Sequence, residues 1–161
     1  MNFKTGDKAV YPSHGIAEVR GIEARNVGGH QVQCYVMDIM ASGATVMVPV
    51  SATKRAGIRN LSTPGEIENI MNVMRKPARI AQRAWNKRFR EFNEKLRTGS
   101  ACEVAEVYRD LKTLEKTKDL SYGEKQILEK SKKLVVSEIS AAKNVAASEI
   151  EVELSKCFPT I

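Results

Sequence analysis

At 161 residues the chain has room for one domain or two small ones, and 42% apolar with 28% charged residues suits packed, water-facing units. No apolar run approaches the ~20 residues that span a bilayer, and the polar opening Met1-Asn2-Phe3-Lys4 does not read as a signal peptide. The net charge of +7 is concentrated: residues 75–97 hold nine basic residues against Glu91 and Glu94, so this segment alone nets +7, while residues 1–52 net zero. A stripe of that kind is the footprint expected for a polyanion partner. Cys34, Cys102 and Cys157 are far apart and odd in number. They form no disulfide framework or CxxC metal site and read as reduced thiols of a cytoplasmic protein.

The first fifty residues read as short strands. Lys8 to Tyr11 ends at Pro12, and Gly15 opens a run through Ile16, Val19 and Ile22. Gly28-Gly29 signals a hairpin. Val32 to Ile39 is rich in β-branched and aromatic residues, Ser42-Gly43 is a turn, and Thr45 to Val50 closes the set. Several short strands with Gly turns predict a small antiparallel barrel. The period then becomes helical. Thr63 to Glu66, Ser100 to Glu103 and Ser121 to Glu124 are three capping boxes, each ahead of an apolar helical pattern. Between the first two, Ala81, Trp85, Phe89, Phe92 and Leu96 predict a helix running to about Arg97, and Thr98-Gly99 breaks it. Beyond Ala142 the Ala-rich, acidic sequence reads as further helix. The predicted organisation is α+β: a β domain over residues 1–52, a linker over 53–62 and an all-helical domain over 63–161.

Catalysis has little to work with. His14 lies in a turn-like Pro-Ser-His-Gly and His30 follows two glycines, so both read as loop residues. No Gly-rich phosphate loop, nucleophile elbow, HExxH motif or metal-ligand cluster occurs, so the chain reads as a non-enzyme with no cofactor, metal or small-molecule substrate. In the basic segment Arg79, Arg83, Lys87 and Arg90 recur every three to four residues, a row able to neutralise several phosphates and release counterions. A solvated helix face has the same spacing. A basic amphipathic helix could also lie on an anionic membrane, but its apolar side is needed for packing, so no membrane partner is expected. Trp85 belongs by pattern to the apolar stripe, which favours the core. Its neighbours Arg83, Lys87 and Arg88 also suit an exposed wedge at a minor groove. An RNA-binding or ribosome-associated protein is the alternative for a small barrel with a basic helix.

Several motifs stand in one order: Phe3-Lys-x-Gly-Asp7, Val10-Tyr-Pro-x-His-Gly15, Val46-x-Val-Pro49, Gly57-x-Arg59, Val104-Ala-Glu-Val-x-Arg-Asp-Leu111 and Leu120-Ser-x-Gly-Glu-Lys125. Together they resemble the CarD/CdnL family of bacterial transcription regulators over roughly residues 1–140. The resemblance implies a Tudor-like barrel that binds the β subunit of RNA polymerase. It also implies a helical domain that contacts promoter DNA at the upstream edge of the bubble and stabilises the open complex. Trp85 then matches the minor-groove wedge. Lys87, Arg88 and Arg90 match basic positions on the DNA backbone, with Lys125 beside them. Arg25 matches a basic residue used against the polymerase, and Met47 stands where some members have a second arginine. The protein is expected to act as a monomer.

Overall fold

The computed structural model describes residues 2–78 and 85–158, and only the backbone of Trp85 and Asn86. The chain forms two compact units, Met1–Leu61 and Ser62–Ile161.

The first unit is a Tudor-like five-stranded antiparallel sheet of β1 (Lys8–Tyr11), β2 (Gly15–Val27), β3 (His30–Ile39), β4 (Thr45–Pro49) and β5 (Arg59–Asn60), in the order β4-β3-β2-β1-β5. Alternation places Ala17, Val19, Tyr35, Met37, Ile39 and Val48 on one buried face. The Phe3 motif is structural. Its ring packs edge-on against Tyr35 at 5.6 Å, and its backbone N–H donates to the Tyr35 hydroxyl. The β2–β3 turn needs positive φ at both Gly28 (58°) and Gly29 (85°), the conformation of a two-residue I′ hairpin. β2 and β3 outrun their neighbours, since β1 pairs only as far as Glu18 and β4 only from Cys34. Their far halves form a two-stranded ribbon on which Ile22 and Val27 are exposed.

The stretch 53–62, expected as a linker, is folded. A 3-10 turn (Val50–Ala52) leads to buried Thr53 and Ile58, and β5 pairs with β1 at Ala9↔Asn60 and Val10↔Arg59. A two-residue strand of polar side chains has no alternation to betray it. Gly57, at φ 79°, is required there, because a Cβ would meet Pro12 Cγ at 3.0 Å.

The second unit packs α1 (Pro64–Arg75), α2 (Trp85–Arg97), α3 (Ala101–Glu115), α4 (Tyr122–Lys143) and α5 (Ala147–Ser155) around one apolar core. Two of the expected capping boxes close reciprocally, at Thr63/Glu66 and Ser121/Glu124. The third is half-formed. Ser100 accepts from the Glu103 N–H, but its own N–H goes to Thr98 Oγ1. The helical reading past Ala142 holds with a break: Asn144 ends α4 in the left-handed region (φ 56°, ψ 48°), and α5 then buries Ile150 and Leu154. No helix among the described residues is long and apolar enough to cross a membrane.

Candidate nucleic-acid interface

The basic segment reaches the surface through α2. Phe92 and Leu96 bury its C-terminal half, each such burial contributing about 1.5–3 kcal/mol. Lys95 Nζ meets Glu106 Oε2 at 2.8 Å and ties the same half to α3. The N-terminal half is more open. Phe89, expected in the core stripe with Phe92, is 42% exposed. Lys87 and Arg90 are exposed, and neither makes a salt bridge to a described residue. Arg97, further along, is paired with Glu94. Arg79 and Arg83 lie outside the described residues. Trp85 is the first residue of α2, and its side chain likewise lies outside the described residues.

Arg88 departs from the sequence expectation. The resemblance groups it with Lys87 and Arg90 as a DNA-backbone position, whereas its side chain is only 17% exposed and turns to Glu124 at the start of α4, Nη2 to Oε2 at 3.9 Å. A helix advances ~100° per residue, so position 88 faces nearly opposite to position 90. Glu124 is 1% exposed. Its Oε1 accepts from the Ser121 N–H at 2.9 Å and from Lys118 Nζ at 3.2 Å. Burial pushes this carboxyl up. The hydrogen bonds of Ser121 and Lys118, with the Lys118 charge, outweigh it and hold the group below the ordinary 4.5. Lys125 is exposed in the first turn of α4, one residue on.

The sheet unit brings its two expected contact residues to one face. Residues opposite one another in an antiparallel pair share a face, and alternate residues of a strand do too. Arg25 stands opposite Val32 and Met47 opposite Val36, so Val32, Cys34 and Val36 link them across β3, on the side away from the core. Arg25 is exposed and pairs with Glu23 at 3.2 Å, while Met47 is half-buried. Among the described residues, no group of His, Cys, Asp and Glu could hold a metal ion.

The two units correspond to two family models. Residues 3–62 match the CarD-like/TRCF RID domain and residues 69–155 match the CarD C-terminal domain. The chain belongs to the CarD family. One CarD-like relative is YdeB of Bacillus subtilis (strain 168), named as a candidate transcription factor. It is 30% identical over 149 residues, which cover 92% of this chain and 97% of YdeB. A solved structure, CdnLNt from Myxococcus xanthus, is 43% identical over 37% of this chain and 84% of its own, with a TM-score of 0.32. CarD-family membership makes the chain a transcription regulator related to RNA polymerase interaction, not an enzyme. The match to the CarD C-terminal domain also extends to residue 155, past the motifs legible in the sequence, and so takes in α5.

Proposed function

We propose that this CarD-family protein binds the β subunit of RNA polymerase through its sheet unit and promoter DNA at the upstream edge of the bubble through α2, stabilising the open complex in the cytoplasm as a monomer. The observation that carries the DNA half is the exposed basic side of α2: Lys87 and Arg90 stand exposed without salt bridges to described residues, inside the segment that nets +7. Arg79, Arg83 and Lys125 complete the set of phosphate contacts, and Trp85 at the head of α2 is the wedge. The polymerase half rests on Arg25 and Met47 sharing one sheet face and on the RID family match.

Phosphate contacts position the helix without reading sequence. Anchoring on polymerase supplies effective concentration, so each DNA contact is individually weak. A wedge that fits a partly unstacked fork better than intact duplex shifts the closed–open equilibrium toward open. About 1.4 kcal/mol of such preference changes the population ratio roughly tenfold.

The test is paired. Trp85→Ala should shorten the lifetime of open promoter complexes challenged with competitor while leaving polymerase binding and the melting temperature nearly unchanged. A core tryptophan would instead cost about 3–5 kcal/mol of stability. Duplex binding should be nearly blind to sequence, and about three or four phosphate contacts from the row Arg79, Arg83, Lys87 and Arg90 give a log–log salt slope of about −3. Preference for one duplex sequence that persists at high salt would overturn the reading.

A further inference from the structure

We infer that Glu124 is a positioning residue for the DNA-facing side of α2: it holds Arg88, and Arg88 spends its charge on Glu124 and not on a phosphate. This rests on the DNA-binding reading above.

Three observations carry it. Arg88 is flanked by exposed cations on both sides yet is itself mostly covered, its direction fixed by the helical turn. Glu124 is a carboxylate in the interior, and burying that charge is unfavourable unless it is paired. Its role in the cap uses Oε1 alone, and glutamine would serve that role as well. Oε2, left over from the cap, is buried beside Arg88 with no hydrogen-bond partner among the described residues, as is Arg88 Nε. The cap and Lys118 both use Oε1, which leaves the other carboxylate oxygen to face Arg88.

The third observation is that a buried charge also reaches the chain just before the basic segment. Arg109 on α3 is buried, with Nε donating to Asp110 Oδ1 at 2.9 Å and Nη1 donating to the Val73 carbonyl at 3.1 Å in the last turn of α1. Two motifs outside the segment, around Arg109 and Glu124, thus send buried charges to the chain just before it and to Arg88 within it. The chain enters the segment from a fixed α1 and leaves it along a fixed α2. Lys87 and Arg90 are then presented from a helix whose rotation is set, which is what preorganisation of a weak contact requires.

Glu124→Gln separates the alternatives because it keeps the cap and removes a negative charge near the basic face. Electrostatics alone would make DNA binding tighter. Loss of positioning makes it weaker, by about five- to tenfold on a forked duplex, with the salt slope unchanged. Trp85, the chain's one tryptophan, sits three residues before Arg88, so its fluorescence anisotropy should fall as α2 loosens. Arg88→Met should weaken binding without lowering the slope, and the double variant should be no weaker than Arg88→Met alone. Equal or tighter fork binding by a folded Glu124→Gln would overturn the proposal. So would a slope lowered by about one in Arg88→Met, which marks a lost phosphate contact. That second measurement decides if Glu124→Gln does not fold. If the native chain binds no DNA, the DNA reading falls by itself. Unchanged Trp85 anisotropy in Glu124→Gln would then sink the clasp, and a fall would support it.

Discussion

Among the described residues, the sheet unit encloses Phe3, Val19, Tyr35 and Met37 and no charged side chain, whereas the helical unit encloses Arg109, Asp110, Glu124 and Glu138. The difference follows from how each kind of layer fixes its geometry. A strand ladder sets register through backbone hydrogen bonds, and a slip by one residue would turn every buried side chain outward. Helices packed by apolar ridges have several near-equivalent rotations and slides. Buried charges with few acceptable partners remove those alternatives. Glu138 receives the Ser62 N–H at 3.0 Å where the helical unit begins, Arg109 reaches the end of α1, and Glu124 reaches α2. The unit proposed to grip DNA is therefore the one whose geometry depends on charge.

The comparison breaks most easily at Arg109. Arg109→Met would leave Asp110 buried without its Arg109 partner and the Val73 carbonyl without its donor, at an expected cost of about 3–5 kcal/mol. The matching change in the sheet unit is Arg20→Met, which removes an exposed pair with Asp38 at 3.4 Å and should cost at most about 1 kcal/mol. Thermal melts of the two full-length variants give the contrast directly. Equal shifts would show that the enclosed charges of the helical unit are no more than surface ones.

Acid sharpens the same contrast. The folded Glu124 carboxyl sits below its unfolded value near 4.5, so its stabilisation is fully present above that pH and is lost as the pH falls through the lower folded value. Glu124→Gln cannot titrate. The gap in melting temperature between native and variant chains should be constant from neutral pH down to about 5 and narrow below it. A gap that widens in acid would reverse the assigned direction.

At the alkaline end the helical unit has one more titrating group in its core. Burial, reinforced by Glu151, Glu129, Cys157 and Glu115, pushes Tyr108 from 10.0 up to about 12. A raised value favours the neutral phenol in the folded state. Its contribution is complete below pH 10 and fades as the pH rises toward 12. Tyr108→Phe keeps a ring against Phe158, whose centroid lies 5.7 Å away, and removes the titration. The native chain should lose more stability than this variant between those two pH values, as read by denaturant midpoints.

What the sequence made legible was whatever is encoded locally. The Gly28-Gly29 turn, the period-2 and helical patterns and two of the three capping boxes depend on residues within a few positions of each other. The pairing of Arg88 was illegible for the opposite reason, since Glu124 stands 36 positions on and spacing along α2 could not reveal it. Phe89 fits the apolar stripe by period, but period does not say how far the neighbouring helices extend to cover it. The face shared by Arg25 and Met47 likewise needs two strand registers before it can be seen.

The smallest expected effect on stability is the one that isolates the sheet unit's role. Arg25 lies on the two-stranded ribbon, and its pair with Glu23 leaves both side chains more than half exposed, so Arg25→Glu should shift stability by no more than about 0.5 kcal/mol. The same change places two carboxylates at adjacent same-face positions and inverts the charge offered to a partner. Binding to an isolated polymerase β-subunit lobe should fall steeply, while the DNA salt slope stays as in the native chain, because the cations that set it lie on the other unit. Met47→Arg should act in the reverse direction on the same face, adding a cation across β3 from Arg25 and tightening the polymerase contact with no change in DNA binding. If Arg25→Glu weakened DNA binding as much as polymerase binding, the separation of the two surfaces would fail. The sheet unit would then have to carry part of the nucleic-acid contact.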